Sequence, residues 1–148
     1  MGGTNKALTS LYNQGLLNRK RIGLNLVYTL NRNNIIVRKL GIISILAELE
    51  PLKDQLEEFS GLIILFGSFA RGENTADSDL DLLIIGNKKD NIQDRIDSFM
   101  LDKEDDFPKI QAIIRTPVEW MALEDNDPVF FSEVSKGIVL WDQQKNER

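Results

Sequence analysis

Two short apolar runs near the middle of the chain are bounded by glycine and polar residues. Leu62 to Phe66 is a five-residue apolar run between Gly61 and Gly67. It is too short for a helix and is typical of a buried strand. A second run, Leu80 to Ile85, alternates at its start and then becomes fully apolar. The pattern predicts two neighbouring strands of a buried sheet, joined by a polar loop.

The segment before these strands has helical periodicity. Asn33 or Asn34 is placed to cap a helix that runs to about Leu49 and has an unusually broad apolar face. The residues of this face are Ile36, Val37, Leu40, Ile42, Ile43, Ile45, Leu46, Ala47 and Leu49. We expect the face to pack on the sheet and the hairpin, with a homodimer seam as the alternative. Pro51 suits the first turn of another helix, which we predict from Pro51 to Phe59.

Helical and strand patterns alternate through the rest of the chain. The predicted elements are a helix around residues 92–100, a strand over 109–115, a helix opened by a capping box at 116–119, a helix from 128 to 136 and a strand over 138–141. This order predicts an α/β (α+β) domain with a mixed sheet flanked by helices. Its predicted span is residues 34–148.

Charge separates the amino-terminal segment from this domain. Residues 1–40 contain seven basic residues and no acidic one, whereas the remaining residues carry 11 basic and 23 acidic side chains. Within the basic segment, helical spacing ends near Gly15, and two strand patterns then surround Gly23. We therefore expect residues 1–33 to form a small helix-plus-hairpin appendage. A basic segment on an acidic protein favours contact with nucleic acid.

Composition removes several classes of chemistry. The chain has 148 residues with 42% hydrophobic content, no cysteine and no histidine. Disulfides, thiolate metal sites, imidazole ligation and histidine-activated nucleophiles are therefore excluded. Any metal must be held by oxygen ligands. No apolar run approaches the ~18 residues of a membrane span, so we expect a cytoplasmic protein without a membrane partner.

Candidate chemistry lies where the two central strands meet the loop. Gly67 and Ser68 follow the first strand, where backbone N–H groups and a hydroxyl favour phosphate binding. Asp79 and Asp81 lie two residues apart at the start of the second strand and so share a face. Two adjacent carboxylates repel each other without a cation, and hard oxygen ligands suit Mg²⁺ held together with substrate phosphates. The combination predicts a nucleotide site.

Two stretches of the chain, residues 65–72 and 78–84, resemble the signature of the DNA polymerase beta-like nucleotidyltransferase superfamily, in its minimal nucleotidyltransferase branch. The resemblance implies transfer of a nucleoside monophosphate from an NTP such as ATP to an acceptor hydroxyl, with two Mg²⁺ ions held by three carboxylates. By position, Asp79 and Asp81 would be catalytic metal ligands, and Gly67 and Ser68 would hold the triphosphate. Arg71 would either reach the phosphates or brace the loop.

The third carboxylate of that family has no evident counterpart. It is expected on the following strand, predicted at residues 109–115, where Lys109 or Gln111 would take its place. Asp105 and Asp106 lie just upstream, and a different register would bring one of them in. The site therefore holds either the two Mg²⁺ ions of the family or only one. Turnover depends on which of these is correct.

The basic appendage resembles the recognition helix and wing of a winged helix-turn-helix domain. Similar modules precede nucleotidyltransferase domains in some prokaryotic, especially archaeal, proteins. Residues 1–33 would then contact DNA, or simply pack on the main domain or on a second copy. The alternative to an active enzyme is a DNA-binding regulator whose nucleotidyltransferase-like domain senses nucleotide or mediates assembly. A third alternative is a protein partner such as a toxin.

Overall fold

The first third of the chain forms a helix, a hairpin and a long helix. The computed structural model describes residues 3–103 and 107–146. Its first elements are α1 (Gly3–Asn13), β1 (Leu17–Ile22), β2 (Asn25–Leu30) and α2 (Ile35–Leu56). β1 and β2 pair antiparallel through a tight turn at Gly23, whose φ is 59°. The predicted helix-plus-hairpin is confirmed, and none of residues 3–41 is buried.

A four-stranded mixed sheet forms the centre of the remaining chain. The later elements are β3 (Leu62–Phe66), α3 (Gly67–Arg71), β4 (Leu80–Ile85), α4 (Lys89–Leu101), β5 (Ile110–Arg115), α5 (Pro117–Met121), α6 (Leu123–Asn126), α7 (Pro128–Ser135), β6 (Ile138–Asp142) and α8 (Gln143–Asn146). The strand order is β5-β4-β3-β6, with β4 and β5 parallel and the other pairs antiparallel. The prediction of a mixed sheet flanked by helices is therefore confirmed.

The sheet is covered on both faces because its strands alternate between two apolar layers. Leu65 and Leu82 point to one layer, where they pack with Leu52 of α2 and Ile92 of α4. Phe66 and Leu83 belong to the other layer together with Val134 of α7, and Trp120 and Phe130 pack against that layer. In this second layer the rings of Phe66 and Phe130 meet edge to face at 5.6 Å. Helices on both sides thus fix the position of β4, which carries Asp81.

α2 continues through Pro51, so the predicted break there is wrong. Proline inside a helix removes one hydrogen bond and costs about 3 kcal/mol. Beyond it, Leu52 and Leu56 are only 1% and 0% exposed. Burial of a leucine side chain contributes about 1.5–3 kcal/mol. Packing of these two residues on the sheet therefore offsets the cost of the proline, and the helix ends only at Leu56.

The broad apolar face predicted for α2 is in fact two faces. Ile42, Ile45 and Leu49 are buried against the sheet, as expected. Ile36, Leu40 and Ile43 lie on the opposite side of the helix and remain 55–61% exposed, so the expectation that they pack in the core is wrong. Neither stripe makes α2 a membrane helix, since none of the helices described is both long and apolar enough to cross a bilayer.

The capping box predicted at the start of α5 is present. The backbone N–H of Glu119 donates to Thr116 Oγ1 at 3.2 Å, and the backbone N–H of Thr116 donates to the Glu119 carboxylate at 2.6 Å. The Thr116 N–H first, and then the Lys89 ammonium at 3.1 Å, lower the pKa of Glu119 to about 2. Glu119 is thus used as a helix cap and is unavailable as a site carboxylate.

Candidate nucleotide and metal site

Three strand ends meet at one edge of the sheet. Because β3 and β4 are antiparallel, the end of β3 lies beside the start of β4, and Phe66 pairs with Asp81. Because β4 and β5 are parallel, the start of β5 also lies there, and Asp81 pairs with Gln111. The sheet topology therefore brings together the glycine-serine turn, the aspartates and the position expected for a third carboxylate.

Gly67 lies directly against the carboxylate of Asp81. Its φ is 70°, a left-handed conformation that residues with a side chain rarely adopt. A Cβ atom added to Gly67 would lie 2.2 Å from Asp81 Oδ2. Glycine is thus required here for two reasons, the backbone conformation and the space that the carboxylate occupies.

The connection from Ser68 to Asp79 is ordered by local hydrogen bonds. The carbonyl of Ser68 accepts from the N–H of Glu73 at 2.9 Å, which closes the short helix α3. Further along the loop, the N–H of Thr75 donates to the Ser78 hydroxyl at 2.9 Å. Ser78 therefore braces the turn that delivers Asp79 to the start of β4.

Asp79 and Asp81 are close enough for their charges to interact. Asp79 is exposed and immediately precedes β4, while Asp81 is half-buried within it. Burial raises the pKa of Asp81 above its usual range, and the neighbouring Asp79 charge raises this pKa further. The carboxylate of Asp81 is thus held in a position where it lacks sufficient compensating positive charge.

Arg71 is paired with two glutamates. Its Nε donates to Glu73 Oε2 at 2.9 Å, and its Nη1 donates to Glu133 Oε1 of α7. Hydrogen bonds to Glu73 and Glu133 raise the pKa of Arg71. Arg71 also lowers the pKa of Asp81, while Glu133 raises it, so both side chains lie within electrostatic range of the site. The guanidinium therefore braces the loop and α7 in this state.

Gln111 of β5 is exposed beside Asp81. An amide therefore lies where the third carboxylate was expected. Asp105 and Asp106 fall outside the described residues. Within residues 3–103 and 107–146, no group of three acidic side chains is arranged to hold a metal. Asp79 and Asp81 nevertheless fit a hard divalent cation, since they supply adjacent oxygen ligands and Gly67 leaves room for the Asp81 carboxylate.

Comparison with known proteins agrees with this geometry. Residues 43–138 match the sequence model of a family described as nucleotidyltransferase domain. That match covers well over half of the chain. The chain belongs to this family. The matched part includes Gly67, Ser68, Asp79 and Asp81, and it excludes α1 and the hairpin.

Other comparisons are more distant. The fold is similar to that of a 1.40 Å crystal structure described as a "putative nucleotidyltransferase from Sulfolobus solfataricus", with a TM-score of 0.48 and 16% sequence identity. The likeness covers 73% of this chain and 89% of the other. A search of curated proteins found no match. Nucleotidyltransferases as a family use nucleoside triphosphates and typically divalent metal ions.

The sequence predicted five site residues, and the structure adds Glu133 beside them. The five are Gly67, Ser68, Arg71, Asp79 and Asp81. The structure places Gly67 beside Asp81, as their strand positions predicted, and of the two alternatives Lys109 and Gln111 it sets Gln111 beside Asp81. Glu133 was not singled out, because it lies on an ordinary amphipathic helix more than fifty residues beyond Asp81. Only the packing of α7 on the sheet brings it to Arg71.

Proposed function

We propose that this protein is a metal-dependent nucleotidyltransferase that transfers a nucleoside monophosphate from an NTP, such as ATP, to an acceptor hydroxyl. The observation that carries the proposal is the contact between Gly67 and the Asp81 carboxylate. This contact supports the proposal because the turn proposed to bind phosphate and the carboxylate proposed to bind the cation lie at one edge of the sheet. Family membership independently supports a nucleotidyltransferase role.

Each residue of the edge has a distinct task in the proposed reaction. Backbone N–H groups at Gly67 and Ser68, with the Ser68 hydroxyl, would bind the triphosphate oxygens. Asp79 and Asp81 would hold Mg²⁺, one ion or two. When bound, the metal stabilises the charge that develops on the attacking and leaving oxygens during in-line displacement. The protein itself mainly positions the NTP so that an acceptor hydroxyl can reach its α-phosphorus.

Arg71 would change partners when the triphosphate binds. Its side chain is 48% exposed and its two ion pairs join exposed groups. Such pairs contribute only about 0–1 kcal/mol each. A triphosphate offers a stronger, bidentate partner for a guanidinium. A phosphate can therefore replace Glu133 as the partner of Arg71 at a small cost in free energy. The Glu133 carboxylate would then be released near the metal ligands.

A transfer assay tests the proposed function. Wild-type protein incubated with labelled NTP, Mg²⁺ and nucleic-acid or protein acceptors is expected to give slow labelling. Gln111→Asp adds a carboxylate beside Asp81, where it would help to activate the acceptor hydroxyl. We expect this variant to label acceptors at least about tenfold faster, since a single electrostatic group in a site is commonly worth that or more.

The matched control is Gln111→Asn, which has the same length as the aspartate and no charge. It should not exceed the wild-type rate. If wild type and Gln111→Asp both fail to label any acceptor with any NTP, enzymatic transfer is refuted, although family membership would stand.

A second function, DNA binding through residues 1–33, is favoured by the exposed basic hairpin. Lys20 and Arg21 lie on β1, which has no buried residue. We propose that they contact phosphates of duplex DNA. The double substitution Lys20→Gln/Arg21→Gln should then weaken binding and reduce the slope of log affinity against log salt by about 2.

The control for this test is Lys136→Gln/Lys145→Gln, which removes the same charge far along the chain. An unchanged salt slope in the hairpin variant, or an equal change in the control, would exclude the hairpin as a specific DNA contact. DNA binding without transfer by Gln111→Asp would favour the regulator over the enzyme.

A further inference from the structure

The tip of the amino-terminal hairpin presents one apolar side chain to solvent. β1 and β2 are joined by a two-residue turn, Gly23 and Leu24, because Ile22 and Asn25 form the last pair of the ladder. Leu24 is 93% exposed, more than any other large apolar side chain of residues 3–103 and 107–146. It buries almost no apolar surface and so contributes little to the stability of the fold. Its place at the tip suits contact with a partner.

The turn that carries Leu24 is tight and braced. Gly23 has a φ of 59°, a conformation that glycine adopts without strain and that two-residue hairpin turns use. The Nε of Arg21 donates to the carbonyl of Gly23 at 3.3 Å, which ties the turn to β1. Leu24 is therefore presented in a defined position at the end of the ribbon formed by the two strands.

Positive charge flanks the tip on both faces of this ribbon. Lys20 and Arg21 are neighbours on β1, so their side chains point to opposite faces. Residues 1–40 contain no acidic side chain that could neutralise them locally. A groove of duplex DNA has phosphates along both walls and base pairs at its floor. A ribbon with a cation on each face and an apolar tip is complementary to such a groove.

The hairpin projects far enough to reach the floor of a groove. α1 packs beside its lower part, where the guanidinium of Arg19 lies 4.3 Å from the centroid of the Tyr12 ring. Ile22 lies three residues beyond Arg19, which adds about 10 Å at the rise of a strand. The minor groove is about 7.5 Å deep. Leu24, beyond Ile22, can therefore reach the base pairs before α1 meets the DNA backbone.

We propose that the hairpin enters the minor groove of duplex DNA and that Leu24 wedges between two neighbouring base pairs and kinks the duplex. The wedge depends on the DNA binding proposed above for residues 1–33. Apolar side chains inserted in this way bend DNA by about 20–90° toward the major groove, which opens the minor groove around the inserted ribbon. Lys20 and Arg21 contact phosphates on the two sides of the groove. The added backbone contacts offset the cost of unstacking one base step.

Fluorescence energy transfer across a short duplex tests the wedge. A duplex of about 25 base pairs, labelled at both ends, is straight on its own because the persistence length of DNA is about 150 base pairs. Wild-type full chain should raise the transfer efficiency on binding, since a bend brings the ends together. Leu24→Ser should bind without this rise, and Leu24→Met, which keeps a long apolar side chain, should retain it.

The matched control is Leu101→Ser, which removes an apolar side chain that is 86% exposed on α4. Its transfer efficiency on binding should equal that of the wild type. Equal efficiency for the wild type and Leu24→Ser would overturn the wedge.

Salt and mismatch dependence separate the wedge from the phosphate contacts. Leu24 is uncharged, so Leu24→Ser should leave the slope of log affinity against log salt unchanged, whereas Lys20→Gln/Arg21→Gln should reduce it. A mismatched base pair is easier to unstack, so the wild type should bind a duplex with a central mismatch at least about tenfold more tightly than the matched duplex. Leu24→Ser should lose most of this preference.

The remaining outcomes distinguish the wedge from the DNA contact itself. Wild-type binding to DNA with no rise in transfer efficiency would overturn the wedge and leave the DNA contact standing. Failure of the wild type to bind duplex DNA even at low salt would refute both, whatever the result of the nucleotidyl-transfer assay. Binding to vesicles of phosphatidylserine and phosphatidylcholine that is tighter than binding to DNA and is lost in Leu24→Ser would assign the tip to a membrane surface and overturn the proposal.

Discussion

Replacement of Asp81 by asparagine is expected to stabilise the metal-free protein while it abolishes nucleotidyl transfer. The wild-type carboxylate is half-buried beside Asp79, and both features raise its pKa, which means that its charged form is disfavoured in the fold. Asparagine has the same shape without the charge. We therefore expect a melting temperature a few degrees higher, as is common when a residue is held for function at the expense of stability.

Mg²⁺ and nucleotide should reverse this order, so that the wild type melts at a higher temperature than Asp81→Asn. Mg²⁺ with a non-hydrolysable NTP is expected to raise the melting temperature of the wild type, because a ligand at a hundred times its dissociation constant adds about 2.7 kcal/mol. Asp81→Asn should show little of this increase. Its transfer rate should fall by at least about 10²-fold, the usual scale for loss of one major electrostatic group.

Asp77→Asn is the matched control, since Asp77 is an exposed carboxylate in the loop that leads to Asp79. It should respond to Mg²⁺ as the wild type does. The role of Asp81 as a metal ligand would be refuted if Asp81→Asn gained as much stability from Mg²⁺ and nucleotide as the wild type.

Gly67→Ala is expected to destabilise the fold by about 2–4 kcal/mol and to abolish nucleotide binding. A left-handed backbone conformation costs alanine about 1–2 kcal/mol of conformational free energy. In addition, its Cβ would lie 2.2 Å from Asp81 Oδ2. The carboxylate must therefore turn away from its position, which disrupts the proposed cation site. Chemical denaturation and nucleotide titration measure the two effects separately.

Gly23→Ala separates backbone cost from collision. Gly23 has a similar φ of 59°, and a Cβ added there meets nothing within 4 Å. It should therefore show only the backbone cost. In the double variant Gly67→Ala/Asp81→Ala, the collision is absent, so the effects of the two single substitutions on the free energy of unfolding should be non-additive by about 0.5–3 kcal/mol. Strict additivity would mean that Asp81 does not occupy the space beside Gly67.

The strand-borne half of the site was predictable from sequence because strands have a simple geometry. Alternation places Asp79 and Asp81 on one face, and an apolar run that ends in Gly67 indicates where the chain turns. The pairing of β5 was left open between Lys109 and Gln111, and the parallel register sets Gln111 beside Asp81. These predictions needed only two rules. Side chains alternate between the two faces of a strand, and strands that are consecutive in the chain tend to pair.

The long helix and the far side of the site were not predictable in this way. Helical periodicity records which residues are apolar but does not separate one wide stripe from two opposite stripes, so the exposure of Ile36 and Ile43 was missed. Pro51 carries a strong local preference that packing of Leu52 and Leu56 overrides. Glu133 reaches Arg71 only through the tertiary placement of α7, which no local pattern records.

The double pairing of Arg71 bears on the order in which ligands arrive. Arg71 and Arg38, which also pairs with Glu73, are the two cations beside four carboxylates, Asp79, Asp81, Glu73 and Glu133, so the open edge of the sheet has a net charge near −2. A free triphosphate is itself a polyanion and would be repelled there. Under the proposed function, the cation must therefore arrive first or together with the nucleotide, and uncomplexed NTP should be a poor competitor of Mg·NTP.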